Sequence, residues 1–275
     1  MTDDSLPAPG SPSGEDRAPR DGGPEMAEPA MAEAGRSVVT AAAARSIPVR
    51  LIGGVAIWLR ASPAARAALG RTYPDIDLVA HKKQSRKLRT VLEEEGFEPE
   101  RVFNATHGAR RLLYHSPGGW QVDVFLDTFE MSHTLDLGAR LEAEPGAEAL
   151  AAAELLLTKL QIAEVNAKDL SDTAMLLWDH APGSADGPGL LNLGPVVSRC
   201  AGDWGLYTTV TDNLAACTER LGALDIANAD RSRIATRIAA VTDALAAAPK
   251  SMSWQLRAKV GRRKRWYELP EEVIR

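Results

Sequence analysis

Short apolar runs, interrupted by glycine, proline and polar residues, fill the chain from residue 49 to residue 126. Residues 49–52 form an apolar run that predicts a strand, and residues 75–80 alternate acidic and apolar side chains, which predicts a second strand. Three more strands are predicted at 97–103, 110–115 and 120–126, the last two as a hairpin. Helices are predicted at 36–47, 55–60, 63–69 and 82–95.

Helical periodicity dominates the second half of the chain. Helices are predicted at residues 147–166, 168–180, 190–200, 205–224 and 227–247. The order of elements predicts an α/β (α+β) fold in which a small mixed sheet precedes a C-terminal helical part. We place the core with the sheet at residues 36–145 and the helical domain at residues 146–250.

The two ends of the chain differ from the rest in composition. Residues 1–35 contain six prolines, five glycines and eight acidic residues against two arginines, which predicts a disordered acidic tail. Residues 251–275 are predicted to be a basic tail, because Arg257–Arg265 places six cations in nine residues ahead of Trp266 and Tyr267. Such a segment could bind RNA phosphates and stack on bases, and a solvated helix end explains it equally well.

Bulk properties narrow the class of protein. The formal net charge is -5, so any contact with nucleic acid must come from a local basic patch. The two cysteines, Cys200 and Cys217, lack the spacing of a zinc site, and a reducing cytoplasm is the expected location. No apolar run has the roughly 18 residues needed to cross a bilayer, so no membrane association is expected.

Candidate chemistry is concentrated around Gly53 and Gly54. These two residues separate the first strand from a helix, an arrangement that exposes backbone N–H groups suited to phosphate. Asp75 and Asp77 alternate with apolar residues, so both carboxylates are expected on one face of the second strand. Together these features predict a divalent metal and a nucleoside triphosphate.

A third acid on a neighbouring strand would complete such a site and accept the proton of the attacking hydroxyl. Asp123 is the preferred candidate because it lies inside the apolar pattern of its strand. Asp127 has the same strand parity and remains an alternative at the strand end. The simpler interpretation is that Asp75 belongs to a turn and Asp77 to the surface.

Four short motifs together resemble a known superfamily. They are Gly53-Gly54, Arg71-Thr72-Tyr73-Pro74-Asp75-Ile76-Asp77-Leu78, Val122-Asp123-Val124-Phe125, and the helical pair Leu157-Thr158-Lys159-Leu160-Gln161-Ile162 with Lys168-Asp169-Leu170-Ser171-Asp172. In this order they resemble the DNA polymerase beta-like nucleotidyltransferases, closest to the abortive-infection type toxins and their predicted relatives. The resemblance covers roughly residues 37–180 and implies a minimal nucleotidyltransferase core.

The resemblance also implies roles for individual residues. Asp75 and Asp77, with Asp123 as the third carboxylate, would bind magnesium, with two ions expected. Gly53, Gly54, Arg71, Thr72 and Lys159 would bind the nucleotide, and Asp169 would be a further functional acid beside Asp123. The simpler interpretation of Lys159, Asp169 and Asp172 is a solvated helix face with local ion pairs.

The predicted activity is magnesium-dependent transfer of a nucleoside monophosphate from an NTP to an acceptor hydroxyl. The acceptor could be RNA or tRNA, a protein or a small molecule; the basic tail favours RNA and, with it, a toxin-like role in which an antitoxin protein would be a partner. Two alternatives remain open: a non-catalytic nucleotide-binding or interaction module on the same fold, and an antibiotic-modifying nucleotidyltransferase.

Overall fold

The computed structural model of the chain describes residues 27–269. The first part contains α1 (Ala27–Ala43), β1 (Val49–Ile52), α2 (Gly53–Arg60), α3 (Pro63–Leu69), β2 (Asp75–Ala80), α4 (Ser85–Glu94), β3 (Glu98–Pro99), α5 (Arg101–His107), β4 (Arg111–His115) and β5 (Gln121–Leu126). The second part contains β6 (Thr128–Glu130), β7 (Thr134–Asp136), α6 (Ala152–Leu160), α7 (Ala167–Asp179), β8 (Ala181–Gly183), β9 (Leu190–Asn192), α8 (Leu193–Gly202), α9 (Trp204–Leu221), α10 (Asn228–Ala247) and α11 (Met252–Val260).

A five-stranded mixed sheet organises the first part, in the order β1-β2-β5-β4-β3. Strands β2 and β5 run parallel at its centre, and the other pairs are antiparallel. The predicted α+β fold with a small mixed sheet is therefore confirmed. Since β2 and β5 are parallel neighbours, the ends of both strands lie at the same edge of the sheet.

The apolar side of the central strands forms the core. Ile76 and Leu78 on β2 are fully buried, as the alternation along this strand predicts. Helix α1 packs on β1, β2 and α4. The buried residues form one continuous cluster that runs from Met31 to Leu245, so the core extends across the sheet and the helices that follow it. The proposed boundary between residues 145 and 146 stays a prediction.

The strand predicted at residues 97–103 is wrong over most of its length. Only Glu98–Pro99 pairs with β4, and α5 follows at once. On this helix, the Asn104 side-chain amide donates to the Leu113 carbonyl at 2.9 Å, and its Oδ1 accepts from the Leu113 N–H at 2.7 Å. The Asn104 side chain thus makes the hydrogen bonds to the β4 backbone that a longer β3 would otherwise have made.

Two other predicted boundaries are corrected by side-chain burial and backbone bonding. Residues 27–35 were assigned to the acidic tail, but they belong to α1, because Met31 and Ala32 bury completely against the core. The rest of the predicted tail, residues 1–26, lies outside the described residues. The helix predicted from residue 147 begins at Ala152, since residues 148–150 hydrogen-bond the edge of β1 at Leu51.

Further along the chain, the helix predicted from residue 190 begins at Leu193, because Leu190–Asn192 forms β9 and the Asn192 side chain caps α8. Part of the predicted basic tail forms α11. Among the helices of residues 27–269, none is both long and apolar enough to cross a membrane.

Candidate active site

The three acids predicted from the sequence share one face of the central strands. Asp77 on β2 lies directly opposite Asp123 on β5, and Asp75 pairs with Gln121. In a parallel pair, residues in register point to the same side, and residues two apart along a strand do so as well. The electrostatic contact of Asp77 with both Asp75 and Asp123 agrees with this placement. We call these three residues the acid face.

Gly53, at the start of α2, lies against the acid face. Its φ of 69° lies in the left-handed region, and a Cβ built there would fall 2.2 Å from Asp77 Oδ2. Any side chain at this position would therefore collide with the carboxylate as well as strain the backbone. The predicted helix start is confirmed, and it places the positive end of the α2 dipole beside Asp77.

The surroundings of Asp77 disfavour its charged form. The pKa of Asp77 is raised well above its usual range, first by burial and then by the charges of Asp75 and Asp123. The positive charges of Lys159 and Arg111 act in the opposite direction but do not cancel these effects. Asp77 therefore holds its proton more tightly than an exposed aspartate does.

The chain binds both oxygens of the Asp123 carboxylate. The residue as a whole is 1% exposed. Arg111 Nε donates to Asp123 Oδ1 at 2.7 Å, and Gln121 Nε2 donates to Oδ2 at 2.8 Å. Within residues 27–269, no group of three or more His, Cys, Asp or Glu side chains is arranged to hold a metal ion. The three acids thus share a face without forming a ready-made three-ligand cluster.

Asp127, the alternative third acid, lies away from the acid face. It follows the end of β5 with a φ of 63°, and its Oδ1 lies 3.0 Å from His81 Nδ1. Its backbone carbonyl accepts from the N–H groups of Leu137 and Gly138. Asp127 shapes the turn at the far end of the strand, which favours Asp123 as the third acid.

Lys159 on α6 lies at the centre of a buried ion network with α7. Its Nζ is 2.8 Å from Asp169 Oδ1 and 2.9 Å from Asp172 Oδ2. Burial alone would lower the pKa of Lys159, but the charges and hydrogen bonds of Asp172 and Asp169 raise it above its usual value. The three side chains are buried, so the interpretation as a solvated helix face is wrong.

Arg71 joins the same network from the loop before β2. Its Nε and Nη2 donate to the two oxygens of Asp172 at 3.0 and 2.7 Å, a bidentate pair. Its guanidinium also stacks over the Tyr73 ring, 4.3 Å from the centroid. A Cβ at Gly54 would lie 2.3 Å from this ring and 3.0 Å from Arg71 Nη2. The second glycine is therefore needed for close packing.

The residues predicted to bind the nucleotide fall into two groups, one at the start of α2 and one in the ion network. Gly53 and Gly54 begin α2, while Arg71 and Lys159 meet at the carboxylate of Asp172. Thr72 is exposed, and its carbonyl accepts from Arg71 Nη1 at 3.0 Å. The electrostatic effect of Lys159 on Asp77 connects the network to the acid face.

Sequence reasoning assigned no role in the site to three residues that organise it. Asp172 joins Arg71 to Lys159, and Arg111 and Gln121 hold Asp123. Arg111 could have been found from the predicted hairpin, because antiparallel pairing puts it opposite Phe125, on the same side as Asp123. The role of Asp172 depends on how α6 and α7 pack, which no local pattern indicates.

The basic segment Arg257–Arg265 uses some of its charge within the chain. Arg257 donates to two backbone carbonyls of the segment at 2.8 and 2.7 Å, and Arg262 binds Asp212 at 2.7 Å. The other four cations are exposed. Trp266 is half-buried, and its Nε1 donates to Thr209 Oγ1 at 3.1 Å. This tryptophan therefore packs on the protein, which limits its availability for a base.

Two solved structures are similar to this chain. One is the solution structure of the antibiotic-resistance factor ANT(2'')-Ia, with a TM-score of 0.37 and 13% identity, covering 71% of this chain and 95% of its own. The other is the crystal structure of an antigenic nucleotidyltransferase-like protein from Paracoccidioides brasiliensis, with a TM-score of 0.39 and 15% identity, covering 81% of this chain and 95% of its own. No protein-family model and no curated protein matches the chain. Because both TM-scores are below 0.5, a function has to be inferred from the site itself.

Proposed function

We propose that this protein is a magnesium-dependent nucleotidyltransferase that moves a nucleoside monophosphate from an NTP to an acceptor hydroxyl and releases pyrophosphate. One observation carries the proposal: the register that puts Asp77 opposite Asp123, with Asp75 on the same face and the Gly53 helix start against Asp77. Metal-assisted phosphoryl transfer needs carboxylates beside a phosphate-binding backbone, and this arrangement supplies both.

The acid face fits a hard divalent cation by its donor chemistry. Carboxylate oxygens are the ligands that Mg²⁺ prefers, and the pairing of β2 with β5 puts the carboxylates of Asp77 and Asp123 on one face. In this proposal Asp75, Asp77 and Asp123 would hold the magnesium ions. When bound, the two expected ions would offset phosphate charge and activate the phosphoryl group.

The residues of the chain contribute binding and proton transfer. The N–H groups at the start of α2 would hold phosphate oxygens, with the helix dipole favouring the anion. Asp123 would accept the proton of the acceptor hydroxyl. Lys159 and Arg71, held in place by Asp172, would border the triphosphate, with Asp169 keeping the lysine ammonium oriented.

For the acceptor we propose RNA, in line with a toxin-like role and an antitoxin partner. The support is the group of five exposed cations in Arg257–Arg265, four of them outside the Arg262–Asp212 pair, which can bind phosphates. The half-buried Trp266 makes base stacking a smaller contribution than the sequence alone suggests. Binding through this segment is therefore expected to depend on salt more than on base identity.

A non-catalytic nucleotide-binding module is the second candidate. It is favoured by the Asp123 carboxylate, whose two oxygens are both bound by Arg111 and Gln121. If that pairing were permanent, the chain would keep the nucleotide-binding face without the third carboxylate that transfer needs. Binding of an NTP with no transfer to any acceptor is the result that this candidate predicts.

The test is transfer of α-labelled nucleotide. Each of the four labelled NTPs is incubated with the full chain, Mg²⁺ and an acceptor, which is total RNA, a protein mixture or a panel of antibiotics. Asp77→Asn is the inactive control, and Glu95→Gln, an exposed acid outside the site, is the matched control. We expect label on RNA with the wild type and Glu95→Gln, and a loss of at least about 100-fold with Asp77→Asn.

The acceptor that carries the label distinguishes the alternatives. Label on protein or on an antibiotic would identify that molecule as the acceptor instead of RNA, and the proposed nucleotidyl transfer would stand. NTP binding without label on any acceptor would support the non-catalytic module. Equal labelling by wild type and Asp77→Asn would contradict the proposed use of the acid face.

A further inference from the structure

Arg111 is the cation closest to the third carboxylate. It lies on β4, one strand beyond Asp123, and its side chain is 32% exposed while that of Asp123 is 2% exposed. The 2.7 Å contact joins opposite full charges away from bulk water, where such hydrogen bonds are strong. In contrast, Gln121 donates from a neutral amide and leaves the charge of the carboxylate unchanged.

The guanidinium also has contacts that do not involve Asp123. It lies 5.1 Å from the ring centroid of Phe125 and 5.7 Å from that of Phe103. Both distances lie in the range of a cation–π contact. Arg111 can therefore give up its carboxylate while it keeps an aromatic environment and access to solvent.

A divalent cation on the acid face would compete with Arg111 for the same oxygen. Asp77 is directly opposite Asp123, so a cation that bridges these two strands needs Asp123 Oδ1 or Oδ2, and both are occupied by donors from this chain.

We propose that Arg111 is a competitor built into the site, whose guanidinium must release Asp123 before this carboxylate can join Asp75 and Asp77 as a metal ligand. The inference rests on the proposed function, since it assumes a divalent cation at the acid face. It assigns Arg111 a role in setting the metal affinity. In the metal-free protein, the Arg111–Asp123 ion pair neutralises the charge of a buried carboxylate. Binding of a cation includes the free-energy cost of breaking this ion pair.

The test is a titration of the metal-free full chain with Mn²⁺. The electron paramagnetic resonance signal of free Mn²⁺ measures how much of the ion remains unbound. Arg111→Gln removes the competing charge. We expect it to tighten Mn²⁺ binding about tenfold, because binding no longer breaks a charge-assisted hydrogen bond. Arg110→Gln is the matched control: the same change one residue earlier removes a 76% exposed arginine paired with Glu130. It is expected to leave Mn²⁺ affinity unchanged.

A double-mutant cycle assigns the effect to the pair. In the Asp123→Asn background the amide cannot attract the guanidinium as a carboxylate does, so Arg111→Gln is expected to give no gain. Arg111→Met serves as a second variant if the glutamine variant fails to fold, as judged by thermal melting. Affinity that is unchanged or weaker in both Arg111 variants would overturn the inference. Absence of Mn²⁺ binding in the wild type and in every Arg111 variant would instead contradict the metal site of the proposed function.

Discussion

The acid face and the ion network between α6 and α7 lie close together but balance charge differently. In the network, the carboxylates of Asp169 and Asp172 meet the cations of Lys159 and Arg71, so acids and bases are equal in number. On the acid face, Asp123 pairs with the guanidinium of Arg111, and the charges of Asp75 and Asp123 both act on the buried Asp77. The network pairs opposite charges, whereas like charges surround Asp77.

The pKa directions express the same difference. The pKa of Lys159 is raised because Asp172 and Asp169 overcome the cost of burial and favour its charged form. The pKa of Asp77 is raised because burial and two neighbouring acids disfavour its charged form. One site is stabilised by its own charges and the other is destabilised by them. The comparison indicates that the ion network contributes to stability, and it is consistent with the proposed cation site at the acid face.

The largest expected effect comes from breaking the network. Asp172 is fully buried and binds both Arg71 and Lys159, so Asp172→Asn leaves the buried Lys159 and the partly buried Arg71 with one carboxylate. We expect the free energy of unfolding to fall by about 3 kcal/mol, because an uncompensated buried charge keeps its desolvation cost. Urea denaturation followed by circular dichroism measures this change.

Asp212 provides the matched control for this prediction. It binds Arg262 at the same 2.7 Å, but both side chains are about half exposed. Asp212→Asn is expected to change the free energy of unfolding by less than about 0.5 kcal/mol. If Asp172→Asn and Asp212→Asn lowered the free energy of unfolding by similar amounts, burial would not increase the contribution of the ion network to stability.

A smaller effect is expected from filling the space between α2 and the acid face. Gly53→Ala combines a positive φ with a Cβ 2.2 Å from Asp77 Oδ2. Gly119→Ala has a comparable φ of 84° and no neighbouring atom within 4 Å. We expect a loss of about 1 kcal/mol for Gly119→Ala from backbone strain alone and of about 2–3 kcal/mol for Gly53→Ala. Equal losses in urea denaturation would show that Asp77 moves away without cost.

The acid face could be predicted from the sequence because it depends on local periodicity. Alternation along β2 puts Asp75 and Asp77 on one side, and a hairpin between β4 and β5 brings Asp123 into the sheet. The parallel pairing of β2 with β5 could not be derived in this way, since a long connection separates the two strands. Their register is set by the burial of the apolar faces as the sheet assembles.

The network is less accessible from sequence because its members come from three separate elements. Arg71 precedes β2, Lys159 lies on α6 and Asp172 on α7, and only the packing of these helices against α2 and α3 brings them together. The spacing of Asp169 and Asp172 on one helix face was visible, but it fits a solvated surface equally well. Burial, which decides between the two interpretations, is a property of the assembled fold.

The smallest expected effect comes from removing one charge of the acid face. Asp77→Asn takes away a like charge opposite Asp123, which is expected to stabilise the metal-free protein by up to about 1 kcal/mol near neutral pH. The folded-state pKa of Asp77 lies above its unfolded value, so its protonated form stabilises the fold at low pH and this contribution is lost as the pH rises through the folded pKa. The wild type should therefore match Asp77→Asn near pH 4 and fall below it as the pH increases.

Urea denaturation in EDTA across this pH range, with Glu95→Gln as the exposed control, measures the difference between wild type and variant. A difference that shrinks with rising pH would mean that the acid face favours the charged form of Asp77 even without a cation. Adding Mg²⁺ should then remove the advantage of Asp77→Asn, because a bound cation stabilises the wild-type carboxylates and has one ligand fewer in the variant. If Asp77→Asn remained more stable than the wild type in saturating Mg²⁺, the charge repulsion at the acid face would be unrelated to metal binding.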